Sequence, residues 1–448
     1  MFFHVKKIMP KFGIQNFSLI NKCDLKPRFR LLFFCFVLLF TYCQQNKELP
    51  PNSPNFLIIM ADDLDYSEIG CYGGEIPTPN IDQLAKEGIL FTDFYTAKDD
   101  AKTRSMLLTG TSQAQVPSTH QLQAEAVTIA QLLKDVGYRT MMSGKWNLGT
   151  TKADIPIVKG FQQSFALMEE KCNHLGNKRY FPAIFRANNN IKEISEDFYT
   201  TQYFSRQLLS FFSAGKKKAR KKPFFAYLSF TAPHYPLQAP ARTIQNFSSQ
   251  YEEGYQAIYE ARIANQLALG LHTGIDDLSI PNWENLSPAL KAVEAKKMEI
   301  YAAMVFDMDK HIGKLIDYLK VSKQYEHTVI IFLADGGISE PASIKQLAKI
   351  DNSLENMGNP NSMITLGKEW TSLKLGNKGN KAAVSFDNAV KAPLIISSPL
   401  LKEQAGNRDK TIRTVGDITP TILKMIGIPH PSESYFEDVL SVEGQPIF

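Results

Sequence analysis

Cysteine is scarce where it could build chemistry. Of five cysteines, Cys23, Cys35 and Cys43 lie in or at the end of the N-terminal leader, and only Cys71 and Cys172 belong to the body. Two cysteines so far apart exclude a thiolate metal cluster. They leave two readings open, one disulfide in an oxidising compartment or two buried thiols. Long apolar runs are also missing. The run Leu31–Tyr42 has twelve residues, too few for the ~20 that cross a bilayer. Net charge vanishes on inspection: of 50 basic and 45 acidic residues, seven basic and one acidic fall in residues 1–42, leaving 43 against 44. That balance carries no nucleic-acid footprint. There is no glycine-rich phosphate loop, no internal repeat and no heptad pattern.

What the leader does contain is ordered. Lys22, Lys26, Arg28 and Arg30 precede the apolar run, the arrangement of an export signal. The run ends in Phe-Thr-Tyr-Cys-Gln-Gln and resembles a bacterial lipoprotein signal, with Cys43 as the lipidated first residue. Ordinary cleavage nearby is the other reading. Residues 1–43 are therefore expected to direct export, to the periplasm or the cell surface of a bacterium. Contact with a membrane is expected only through a lipid at Cys43. Residues 44–54 are polar and proline-rich, a tether.

Four apolar runs then read as strands buried on both faces: Asn55–Met60, Pro223–Phe230, Thr328–Ala334 and Pro393–Pro399. Three of them end in chemistry. The first delivers Asp62-Asp63, the second His234 within Thr-Ala-Pro-His-Tyr-Pro, and the third Asp335-Gly336-Gly337. Adjacent carboxylates at the end of a buried strand are costly unless a cation or an arginine compensates them. Hard oxygen donors suit Ca²⁺ or Mg²⁺, and a solvated Asp-Asp turn is the plainer alternative. Thr128–Arg139 and Glu299–Lys320 carry helical apolar spacing, as does the aromatic run Phe198–Phe212. Lys216–Lys222 reads as a solvated connection, and residues 241–298 as a long polar, irregular insertion.

The stretch Phe91–Gly110 places a polar loop between a strand-like start and a helix-like run, where α/β enzymes carry a nucleophile. Its Asp100-Ala-Lys-Thr-Arg104, followed by Ser-Met-Leu-Leu-Thr-Gly, resembles the sulfatase signature of Cys or Ser, any residue, Pro, any residue, Arg. Further motifs follow in the sulfatase order. They are the paired Asp62-Asp63, Gly70-Cys-Tyr-Gly-Gly, Thr78-Pro-Asn-Ile-Asp, Lys145-Trp-Asn147-Leu-Gly and Ala-Pro-His234. Asp335-Gly336 comes next, and Gly367-Lys-Glu-Trp resembles the arylsulfatase branch. The resemblance spans about residues 54–440. It implies an α/β fold of the alkaline phosphatase superfamily, with a large mixed, mostly parallel sheet between helices. Residues 55–440 would form the catalytic domain and 441–448 the start of a truncated C-terminal part.

The same resemblance implies site roles. Asp62, Asp63 and Asp335 would bind the metal, with Gly336 at a fourth ligand position that has no side chain and that water could fill. Arg104, Lys145 and His234 would contact the sulfate, and Lys381, or else Lys378, would be the second lysine. Three departures fall on site positions: Asp100 replaces the residue oxidised to formylglycine, Asn147 replaces a His, and Gly336 replaces Asn or His. No formylglycine is expected, since a carboxylate cannot become that aldehyde and Lys102 stands where maturation requires Pro. Asn147 carries no proton near neutral pH. Beside Asp62 and Asp63, Asp100 reads better as a metal ligand than as a nucleophile. Two functions follow. One is a cation-binding protein that binds sulfate esters such as sulfated glycans with little turnover. The other is an active sulfate- or phosphate-ester hydrolase using an unusual nucleophile or metal-activated water. A bare scaffold would show no metal affinity.

Overall fold

A computed structural model describes residues 49–448 except 51, 118–120, 178–181, 196, 216–220, 272–279, 337–349, 376–388 and 434–438. The expectations for the leader, Cys43, most of the basic run at 216–222, Lys378 and Lys381 lie outside the described residues.

The first apolar run becomes strand β1 (Asn55–Asp62), with all eight residues buried. A strand this apolar on both faces needs partners on both edges and layers above and below. It finds them. β8 (Phe224–Pro233) and β9 (Thr328–Ala334) flank it in parallel, with Ile58 level with Tyr227 and with Ile331. Outward from β8 come β4 (Arg139–Lys145) and β5 (Gln163–Leu167), also parallel, then the antiparallel β6 (Phe185–Ala187) and β7 (Asn190–Ile191). Outward from β9 come the antiparallel β11 (Leu394–Ser397) and β2 (Gly88–Phe91), then β12 (Asn407–Asp409), parallel to β2. A second, three-stranded sheet sets β3 (Phe94–Thr96) between β10 (Val390–Lys391) and β13 (Arg413–Thr414).

Alternation along β1 divides the core. Leu57, Ile59 and Ala61 face one apolar layer, together with helices α1 (Pro79–Glu87), α4 (Thr200–Ser213), α5 (Gly254–Ala268) and α6 (Pro288–Val321). Phe56, Ile58 and Met60 face the other, with α2 (Asp100–Thr109), α3 (Ile129–Asp135) and α7 (Ile418–Met425). The result is a helix–sheet–helix sandwich, as the strand pattern implied. Cys71 and Cys172 are both free thiols, so the disulfide reading is not realised.

One expectation fails. Residues 241–298 are not irregular where described: Ala241–Gln245, α5 and the first turns of α6 are helical. In α5, Tyr255, Tyr259 and Ile263 recur every four residues and are buried, a narrow stripe that the surrounding polar residues mask. The long helix α6 begins at Pro288, eleven residues before the expected start, because Ser287 caps it by accepting from the Leu290 amide and Pro288 fills the first position. At the other end of the chain, Glu443 and Gly444 donate backbone N–H groups to the Gly110 carbonyl, and Gln445 donates to Asp417. The final residues are thereby tied to the end of α2 and the start of α7.

Candidate active site and metal centre

Strands β1, β9 and β8 run parallel, so their carboxyl ends emerge side by side. β1 delivers Asp62 and Asp63, β9 delivers Asp335, and the loop after β8 delivers His234. Asp100 arrives separately as the first residue of α2, whose N-cap Asp99 accepts from the Lys102 amide. Carboxylate oxygens of Asp62, Asp63, Asp100 and Asp335 all lie within 4.8 Å of one another. Positions separated by more than two hundred residues in the chain thus form one cluster, and the sequence had assigned each of them to the site.

Two cations sit inside this cluster. Lys145, at the end of β4, places Nζ 2.7 and 2.9 Å from the two Asp62 oxygens and 2.9 Å from Asp100 Oδ2. Arg104, one helical turn after Asp100, donates to Asp335 Oδ2 and to the Ser229 and Tyr227 hydroxyls, and lies 3.7 Å from Asp62. Both side chains are fully buried. Arg104 is thus engaged by protein groups and supports the carboxylates from behind. Four carboxylates against two cations leave a formal charge of −2 in a buried centre.

The titration directions follow from that balance. Burial pushes Asp62 and Asp335 up, against the pull of Lys145 on the first and Arg104 on the second. Asp100 is also pushed up by burial, but Lys145, His234 and Arg104 outweigh this and bring it down to about 2. Burial lowers His234 despite the nearby Asp63, so its ring is neutral near pH 7. Its Nδ1–H donates to the Tyr235 carbonyl at 2.7 Å, which leaves Nε2 bare and 3.4 Å from Asp63 Oδ2. That Asp63 oxygen is buried and has no hydrogen-bond partner. That oxygen faces the His234 imidazole, in a centre where carboxylates outnumber the lysine and arginine by two. An oxygen-only donor set, a net charge of −2 and an orphaned carboxylate oxygen fit a divalent cation.

The backbone is shaped to present these groups. Asp63 and Asn147 hold left-handed φ values of 63° and 53°, a region that Asp and Asn tolerate better than other side-chain-bearing residues. Asn147 follows Lys145 by two residues and is buried. Gly336 is buried beside Asp335, with Asp100 and Asp63 oxygens facing its Cα.

Sequence reasoning missed Lys374. It is buried between Leu373 and Leu375, and its Nζ donates to the Asp63 carbonyl at 2.8 Å and to the Tyr301 hydroxyl at 3.1 Å. Glu68, hydrogen-bonded to Tyr301 and 3.6 Å from Lys374, supplies the counter-charge. Nothing in Ser-Leu-Lys-Leu marks that lysine, because its partners come from β1 and α6. A cavity opens beside these groups, lined by Asp63, His234, Tyr235, Tyr301, Thr371 and Lys374 among others.

A doubly covered, largely parallel sheet with a buried carboxylate cluster that could hold a metal at its carboxyl edge is an α/β architecture, and its structural neighbours share the alkaline phosphatase-like fold. The sulfatase family profile matches residues 54–428, and the chain belongs to that family. It is 35% identical to an arylsulfatase of Klebsiella aerogenes, over 84% of this chain and 87% of that one. Among solved structures, Ps i-CgsB in complex with k-i-k-neocarrahexaose superposes with a TM-score of 0.60 at 24% identity, covering 88% of this chain and 75% of the other. BT4656, in complex with its substrate D-glucosamine-2-N,6-O-disulfate, gives 0.58 at 20% identity, over 88% and 77%.

Proposed function

We propose that this sulfatase-family chain holds a divalent cation at Asp62, Asp63, Asp100 and Asp335 and binds sulfate esters such as those of sulfated glycans, without formylglycine-dependent turnover. The observation that carries the reading is Asp100 itself. Its carboxylate lies within the cation cluster and on Lys145, at the position of the family's oxidised residue. Ca²⁺ is the preferred ion. Four carboxylates drawn from three separate segments suit the flexible all-oxygen shell of Ca²⁺ better than the near-ideal octahedron that Mg²⁺ demands.

When bound, the cation supplies electrostatic attraction for an ester oxygen. The chain's own residues do the remainder. Lys145 and Arg104 hold the carboxylates in register. His234, with its proton fixed at Nδ1 on the Tyr235 carbonyl, presents a bare Nε2 towards Asp63. Lys374 pins the Asp63 backbone beside the cavity. The family's aldehyde does not fit this chain, because the carboxylate of Asp100 stands at its position. Export, with a lipid on Cys43, belongs to the same proposal and is supported by the leader's basic flank and apolar run.

One observation favours the second reading, an active ester hydrolase. Asp100 keeps 15% side-chain exposure while Asp62 and Asp335 keep none, so a carboxylate nucleophile would have access. Turnover of 4-nitrophenyl sulfate and 4-nitrophenyl phosphate separates the readings, measured with Ca²⁺, with Mg²⁺ and with chelator, beside calorimetric titration of a sulfated disaccharide. The expected result is cation-dependent saccharide binding, absent in Asp62→Ala, with no nitrophenol release. Cation-dependent release that disappears in Asp62→Ala refutes the non-hydrolytic reading.

A further inference from the structure

Gly336 is a glycine with no backbone reason to be one. Its φ is not in the left-handed region, unlike Gly144 or Gly149, so an ordinary residue would suit the local chain. What excludes a side chain is the cluster. A Cβ built on Gly336 would stand 3.2 Å from Asp100 Oδ1, 3.6 Å from Asp63 Oδ1 and 3.8 Å from the Lys98 carbonyl. The first distance is tighter than ordinary van der Waals contact, so Asp100 would have to move by a few tenths of an ångström.

Asp100 has little room to move. Its Oδ2 is fixed on Lys145 at 2.9 Å, and Lys145 is itself clamped by Asp62. Its backbone begins α2, where Asp99 caps the helix. Oδ1, the atom that faces Gly336, is the oxygen left over for a cation. A second observation at the same centre is Asp63 Oδ2, buried without a hydrogen bond among the described residues, with the His234 imidazole 3.4 Å away.

We propose that Asp100 and Gly336 form a mutually exclusive ligand pair: Asp100 supplies the cation's fourth carboxylate, and it can do so only because residue 336 has no side chain. The inference rests on the cation-site reading above and deepens it. Position 100 is then a binding position, and residues 100 and 336 are coupled although they share no hydrogen bond. An oxygen donor placed at 336 competes with Asp100 when both are present and substitutes for it when Asp100 is removed.

The test is calorimetric titration of Ca²⁺ alone into the purified protein and five variants: Asp100→Asn, Asp100→Ser, Gly336→Asn, Asp100→Ser/Gly336→Asn and, for the site as a whole, Asp62→Ala. Melting in chelator checks that each is folded, and the near-isosteric Asp100→Asn guards against a packing defect in Asp100→Ser. Asp100→Asn and Asp100→Ser should each weaken binding at least tenfold. Gly336→Asn should weaken it several-fold in the natural background and strengthen it about tenfold in Asp100→Ser. That reversal of sign is the signature. If the natural protein binds Ca²⁺ and Asp100→Asn binds it equally well, the proposal is overturned while the cation site stands. Equal effects of Gly336→Asn in both backgrounds overturn it too. If the natural protein binds no Ca²⁺, or Asp62→Ala binds as well as the natural protein, the underlying site reading falls with it.

Discussion

Replacing Lys145 with Met removes the positive charge that two of the four carboxylates share while keeping most of the side chain's volume. Nζ lies 2.7 Å from Asp62 and 2.9 Å from Asp100, with the lysine wholly buried. Without cation, the variant leaves four carboxylates facing Arg104 alone, a formal charge of −3 in place of −2. Breaking one side of a buried ion pair typically costs about 3–5 kcal/mol, because the remaining charge is desolvated and uncompensated. For a folded unit of about 400 residues, with roughly 2.1 cal/mol/K of unfolding entropy per residue, that loss lowers Tm by about 4–6 °C. Calcium should then act more strongly on the variant, because a more negative centre attracts a dication more. A tenfold gain in affinity adds about 1.4 kcal/mol to the stabilisation at saturating calcium. The assay is thermal unfolding of both proteins in chelator and in millimolar CaCl2. Lys145→Met should melt several degrees lower in chelator and recover roughly a third to a half of the gap in calcium. Equal melting in chelator would mean that Asp62 and Asp100 are already neutralised by protons, and an equal calcium shift would remove the charge argument for the site.

Two further predictions concern the shell around the centre. His174 is wholly buried, its Nε2 donating to the His234 carbonyl at 2.9 Å and its Nδ1 accepting from Thr200; burial takes its pKa down to about 3. A base depressed in the folded state contributes stability that is full above its unfolded pKa of about 6.5 and is lost as pH falls from there towards 3, about 2 kcal/mol of it by pH 5. Denaturant titrations at pH 7 and pH 5 should show that loss, and His174→Gln should reduce it; an unchanged pH slope in the variant refutes the assignment. Lys374→Met should destabilise the protein by about 3 kcal/mol by stranding buried Glu68, whose remaining cation, Arg262, lies 3.9 Å away. Adding Glu68→Gln should recover part of the loss, and failure to recover would show that Lys374 acts through packing alone.

Local pattern was sufficient to find the strands and the groups they end in. Strands are legible when both faces are buried, as in Asn55–Asp62 and Thr328–Ala334, because nothing but apolar residues is then tolerated. The candidate site residues were legible through motifs that follow one another in the order of the sulfatases, and Asp62, Asp63, Asp100, Arg104, Lys145, His234 and Asp335 lie together in the structure. Helix α5 was not legible, since its buried face mixes Tyr255, Tyr259 and Ile263 with the polar Arg262 and Gln266, and Lys374 carried no local signal at all.

The sequence by itself therefore determined the buried central strands, through short-range apolar patterning, and, through motifs that resemble those of the sulfatases, the family, the layered fold and the residues of the candidate site. Only the tertiary structure decided how those charges are balanced. That Lys145 bridges Asp62 and Asp100, that Arg104 is enclosed behind Asp335, that Lys374 holds the Asp63 backbone, and that Gly336 leaves space for the Asp100 carboxylate are contacts between segments tens to hundreds of residues apart. Distance in the chain sets no limit on such contacts. They follow from the parallel register of β9, β1, β8 and β4, which brings four strand ends to one place and leaves side-chain volume and charge to settle which atoms meet.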